Sequence, residues 1–271
     1  KKFLDAHGKD TKAYDHRYVR IGYQRGAAID NWRRIIATVI EKDSFCSDTI
    51  NYIVSPKECN LFTILALLNS SLWEWRFRLT STNNHVNSYE IDSMPMAPIS
   101  FTTPEKERKG FLKEAVNLYK GSKYEDILKW AVYELALKRN DTIHDALAFL
   151  AEQIIELNKA KNEESKGFLK WLEREIGAEI EELKNKTNIK KYHEHDFNHL
   201  LEILKKNKNK ISINPSDRGK QELLDRHFTK SMSVLEPLKT KIEKTDELID
   251  EIVYKLYGLT EEEVGIVKGG I

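Results

Sequence analysis

The chain has 271 residues, room for one large domain or two ordinary ones, and its 40% hydrophobic and 32% charged residues with few glycines and prolines describe a folded, charge-rich, helical protein. Its 44 basic and 43 acidic side chains nearly cancel, so no whole-molecule field favours a polyanion and any such preference has to be local. Cys46 and Cys59 lack the spacing of a disulfide scaffold or a thiolate zinc site, and no apolar run approaches the roughly 20 residues of a membrane-spanning helix.

The opening Lys1-Lys2-Phe3-Leu4-Asp5 has no apolar leader and no initiator Met, and reads as the start of a fragment of a longer cytoplasmic protein. Residues 1–40 carry nine basic positions, Lys1, Lys2, Lys9, Lys12, Arg17, Arg20, Arg25, Arg33 and Arg34, against four aspartates, whereas residues 244–271 carry three lysines against seven acids. A polyanion is therefore expected at the N-terminal end. Alternation of Val19, Ile21 and Tyr23 with Arg20, Gly22 and Gln24 predicts a strand, and two more β-rich runs follow at 35–40 and 49–54.

Beyond Pro56 the period changes. Behind an Asn60 cap, Leu61, Leu65, Leu68, Leu72, Trp75 and Leu79 recur at helical steps and predict one long amphipathic helix with its aromatic residues in the core. A polar turn, residues 80–85, ends it, and Met94-Pro95-Met96-Ala97-Pro98 closes the mixed region, placing a boundary near residue 103. After Pro104 the periodicity is helical. Ile143, Leu147, Leu150, Ile154 and Leu157 follow an Asp141-Thr142 cap, Phe168, Leu169, Leu172 and Ile176 repeat the stripe, and Leu248, Ile249, Ile252, Val253 and Leu256 lie between Thr245 and the stop residue Gly258. Thr260 with Glu263 forms a capping box for a last short helix. The expected class is α+β: a mixed, sheet-containing recognition region over 1–103 and a mainly helical domain over 104–271.

Three segments could carry binding chemistry. Residues 23–34 gather Gln24, Arg25, Asn31, Arg33 and Arg34 around Gly26, and guanidinium and amide groups are the side chains that read guanine and adenine edges and hold phosphates. A solvated hairpin loop explains the same composition. The turn Thr82-Asn83-Asn84-His85 could touch phosphates, or could equally cap the helix before it. The cluster His193-Glu194-His195-Asp196-Phe197-Asn198-His199 could present His195 and His199 to a metal ion, but a third ligand is not identifiable and a polar helix start is the simpler reading, so no metal site is assigned. No GxGxxG, P-loop, HExxH or GxSxG motif is present, and catalysis by this chain alone is not expected.

Taken together, Gln24-Arg25-Gly26, Ile35-Ile36-Ala37-Thr38, Asp48-Thr49-Ile50, Leu65-Ala66-Leu67-Leu68-Asn69-Ser70, Thr82-Asn83-Asn84-His85 and the stretch 91–95 resemble the TaqI-like C-terminal specificity domain of adenine-specific DNA methyltransferases. The end of the chain, from Thr245-Asp246-Glu247 to Leu256-Tyr257-Gly258-Leu259-Thr260, is similar to the tail of Type IIG restriction-modification enzymes. The resemblance covers about 17–98 and 143–267. It implies a target-recognition module for double-stranded DNA, joined to an upstream methyltransferase domain that flips an adenine and methylates it with S-adenosylmethionine. That cofactor, and Mg for a fused endonuclease, belong to the parent enzyme; none is expected in this fragment. The family's catalytic signature, Asn or Asp followed by Pro-Pro and an aromatic residue, is matched only as far as Asn214-Pro215. The DNA-contacting residues expected are Arg20, Gln24, Arg25, Asn31, Arg33 and Arg34, with Asn83, Asn84 and His85 second. The alternatives are a helical protein-interaction scaffold, and a metal-dependent nuclease fragment centred on the histidine cluster.

Overall fold

The computed structural model describes residues 12–54 and 59–269; Lys1, Lys2, Lys9 and Pro56 of the sequence lie outside them. The fold is α+β, a small antiparallel sheet followed by a mainly helical remainder. The chain forms two compact units, residues 1–155 with 244–271, and residues 156–243. Residue 103 falls inside the first unit, because the helices that follow it share a core with the sheet.

In the first unit, strands β1 (Arg20–Gln24), β2 (Ala37–Ile40) and β3 (Ile50–Val54) form a sheet of order β2-β1-β3, with Ile21 opposite Val39 on one side and Ile53 on the other. These are the alternating run and the two β-rich runs expected from the sequence. Ile21 and Tyr23 point into the core. Gly22 has no room for a side chain: a Cβ there would lie 2.5 Å from Ile40 Cδ1 and 3.2 Å from Ile50 Cγ2, so the central strand needs glycine to let its neighbours close over it.

The helix expected over 61–79 is two helices, α1 (Leu61–Leu68) and α2 (Ser71–Thr80). The break is chemical. Ser70 is extended (φ −78°, ψ 151°) and its hydroxyl accepts from the Trp73 N–H, while Asn69 turns its amide to the sheet, accepting from Ala37 N at 3.1 Å and donating to Ala37 O at 3.0 Å. Asn69 thus serves as a one-residue partner for the start of β2, and the helix restarts beyond it. Asn60 caps α1 as expected. Its own N–H is accepted by Nε2 of the buried His144, and the His144 Nδ1 meets Asp145 at 2.8 Å.

After α3 (Ser88–Asp92), helices α4 (Glu105–Lys120), α5 (Tyr124–Ala136), α6 (Asn140–Ile176), α7 (Lys186–Lys190), α8 (Phe197–Lys206), α9 (Arg218–Leu256) and α10 (Glu261–Gly269) complete the order. Separate stripes in the sequence merge into long helices. Asp141 and Thr245 do not act as caps: α6 begins before Asp141, whose carboxylate accepts from Thr103 N at 2.8 Å and Thr103 Oγ1 at 2.9 Å, and Thr245 lies inside α9, its hydroxyl 2.9 Å from that of Tyr119. The expected end of α9 holds, with Gly258 left-handed at φ 70° and the Thr260–Glu263 capping box formed.

The second unit is helical around Phe168, Leu172, Ile176, Leu200, Leu204, Leu224 and Phe228. Asn207 is buried in it and clamps Lys184, accepting from its N–H at 2.8 Å and donating to its carbonyl at 3.1 Å. The His195 and His199 rings lie 4.4 Å apart, but His195 precedes α8, and Asp196 caps that helix by accepting from His199 N at 2.8 Å. No group of three or more potential metal ligands occurs among the described residues. Among them, too, no helix is long and apolar enough to cross a membrane.

Candidate nucleic-acid interface

The segment 24–34 and the turn 81–87 meet at one edge of the first unit. Arg25 donates its backbone N–H to Thr49 O at 2.9 Å as the chain leaves β1, and Gly26 pairs with His85 in an isolated antiparallel bridge. The bridge is made by Val86 N to Arg25 O at 2.8 Å and Ala27 N to Asn84 O at 2.9 Å, with Ile29 N donating to Asn84 Oδ1 at 3.2 Å and Asn51 Nδ2 to Val86 O at 3.0 Å. Two segments separated by some fifty positions are thus locked as one surface feature.

A buried charge network carries this feature. Arg34 is 1% exposed, and its guanidinium donates to the carbonyl oxygens of Ser81 (3.3 Å), Asn83 and His85 (3.3 Å) while stacking over the Phe77 ring, 4.9 Å from its centroid. The backbone N–H groups of Arg34 and Ile35 donate in turn to the two carboxylate oxygens of buried Glu74, at 2.9 and 2.8 Å. Glu74 also accepts from Arg78 Nε at 2.6 Å, and the remaining Arg78 donors reach Asn31 O at 2.6 Å and Ile29 O at 3.3 Å. Burying an ion is costly unless it is paired and hydrogen-bonded, and here the partners are the backbone groups that shape the loop and the turn, which take both Nη groups of Arg34 and leave its buried Nε without one. Desolvation lowers the Arg34 pKa, and the Glu90 and Glu74 carboxylates oppose that shift.

The expected contact residues therefore separate by burial. Gln24, Arg25, Asn31, Asn84 and His85 are exposed on the joined segments; Asn83 and Arg33 are half-buried. Arg34 leaves the set of surface groups because it is buried and both of its Nη groups donate to the turn. Arg20, 3% exposed, leaves it too: its guanidinium donates to Ser44 O at 2.6 Å and lies over the Tyr52 ring. Arg33 donates to Ile35 O at 3.0 Å and to Asn69 O, and is the cation opposing the raised pKa values of Asp246 and Asp250. Arg25 has one long bond, Nη1 to Asp48 O at 3.4 Å, so most of its donors face solvent. Gln24 folds its amide onto Gly26 O.

Four residues of this edge give little sign of their roles in the sequence. Glu74 and Arg78 look like a solvated helix face, although their i,i+4 spacing signals an ion pair. Trp32, 78% exposed, and Ile29 carry no signal beyond their place in a polar loop.

Residues 140–253 match the family model described as Domain of unknown function (DUF8810). The match runs from the first residue of α6 into the last turns of α9, so it takes in all of the second unit and none of the loop or turn. No curated protein and no solved structure matches the chain.

Proposed function

We propose that this chain is the sequence-specific, double-stranded-DNA-binding part of a Type IIG restriction-modification enzyme or related adenine-specific DNA methyltransferase, with the joined loop and turn as its contact surface. The observation that carries the reading is the Gly26–His85 bridge, which brings Arg25, Asn31, Asn84 and His85 into one exposed group. Base recognition needs donors held in fixed positions, and the Arg34–Glu74 network supplies that rigidity from below. Arg25 and His85 serve phosphates or guanine, and Asn31 and Asn84 the amide contacts.

Methyl transfer is assigned to the upstream methyltransferase domain of the same polypeptide, with S-adenosylmethionine as its cofactor and Mg for an endonuclease partner. Asn214-Pro215 forms a tight turn in which Asn214 Oδ1 accepts from Ser216 N at 3.0 Å and Pro215 O from Gln221 Nε2 at 2.9 Å, so its polar groups serve the entry to α9.

The test is duplex binding as a function of salt, with Arg34 left intact because it is structural. In an Arg25→Ala, His85→Ala double variant, affinity falls and the slope of log K against log salt flattens by about 0.9 for each phosphate that the variant no longer neutralises. Unchanged affinity and slope remove this surface from consideration. An absence of any complex at low salt favours the scaffold reading instead.

A further inference from the structure

Trp32 is the most exposed large apolar side chain among the described residues, at 78%. The other four tryptophans are buried or half-buried, and an indole left in water forgoes the largest apolar contribution any side chain can make to a core. Its support is firm. Asn31, just before it, is held through its carbonyl by Arg78 at 2.6 Å, and Arg33, just after it, is held through its side chain by Ile35 O at 3.0 Å. Ile29, 51% exposed, lies in the same loop and is tethered at both its N–H and its carbonyl.

The surroundings select the partner. Segments 24–36 and 73–87 carry five arginines against Asp30 and Glu74; Arg34 is buried, Arg78 is paired with Glu74 and Arg33 faces Asp246 and Asp250, which leaves exposed Arg25 and half-buried Arg76 as the cations of these segments. A rigidly mounted aromatic tip in a cationic setting fits a polyanion with a stacked, apolar interior, which is duplex DNA. We infer that Trp32, backed by Ile29, is a wedge that enters a base step and kinks the duplex, so that the protein reads the deformability of its target as well as its base edges. The inference rests on the DNA-binding reading above and adds a mode of binding to it.

The experiment uses the full chain and the duplex it enriches from a random-sequence pool. Binding by anisotropy is measured for wild type, Trp32→Ala and Trp32→Phe, with tryptophan emission and energy transfer between dyes on the two duplex ends. The alanine variant binds about five- to 150-fold more weakly, the range that loss of one base–aromatic stack produces. Phenylalanine keeps a π-face and retains most of the affinity. Wild-type emission is quenched on binding while that of Trp32→Phe is not, and the duplex ends approach each other with wild type but not with Trp32→Ala. Equal affinity of the alanine variant, or unchanged wild-type emission in a saturated complex, overturns the wedge while leaving DNA binding intact. A pool that stays random removes both. Because the side chain is exposed, thermal unfolding of the variants matches wild type and separates these outcomes from misfolding.

Discussion

Replacing Arg34 by methionine distinguishes a base-contacting arginine from a structural one. Methionine fills a similar volume and keeps contact with Phe77, but it leaves the carbonyls of Ser81, Asn83 and His85 without the guanidinium that now serves all three. Hydrogen bonds to a charged group contribute about 1.5–3 kcal/mol each. The low end applies here, because Asn83 and His85 have access to water that can take over part of the loss, and three such bonds come to roughly 4 kcal/mol. Burial of the thioether returns about 1 kcal/mol, leaving a net loss of about 3 kcal/mol. Urea denaturation monitors it through the midpoint at constant m, and amide exchange at Ala27 and Val86, which hold the Gly26–His85 bridge, accelerates. A change of under about 0.5 kcal/mol, the size expected of a surface arginine, together with slow exchange at those amides, would refute the caged-cation reasoning.

Three further outcomes follow from the packing and the charges. Gly22→Ala forces a methyl against Ile40 and Ile50 in the centre of the sheet and costs about 1–3 kcal/mol in chemical denaturation; neutrality would show that the sheet can open at that point. Asn207→Ala removes the clamp on Lys184 and destabilises the second unit by roughly 2–3 kcal/mol, with the Lys184 amide the first to exchange. Asp246 has its carboxyl pushed up to about 6, first by burial and then by the Asp250 carboxylate, against Arg33. A carboxyl with a folded pKa above its unfolded value binds more protons in the folded state, so its contribution lowers stability as pH rises from about 4 through about 6. Asp246→Asn removes that decline, and a pH–stability profile identical to wild type across this window contradicts it.

The strands were legible because alternation over residues 20–24 and β-branched runs at 37–40 and 50–54 admit few other readings. The closing Gly258 and the Thr260–Glu263 box were legible for the same local reason. What escaped was decided by partners far along the chain. Arg20 and Arg25 look alike in sequence, but one faces Ser44 and Tyr52 inside and the other faces solvent. Arg34 is structural only because a turn some fifty residues away supplies its acceptors. Asp141 and Thr245 have the chemistry of caps, yet Thr103 and Tyr119 claim them, so the helices run past both. Asn69-Ser70 was visible as part of a family-like motif, whereas its role of splitting α1 from α2 depends on the nearby edge at Ala37.

The most direct measurement of the central claim is enrichment of duplexes from a random-sequence pool by the wild-type chain and by Arg25→Ala, Asn84→Ala and His85→Ala variants. Wild type is expected to enrich one short common sequence, and each variant, folded as judged by its unfolding curve, to lose or relax part of it. A wild-type pool that stays random, or a common sequence that survives all three substitutions unchanged, would contradict the assignment of this surface to DNA.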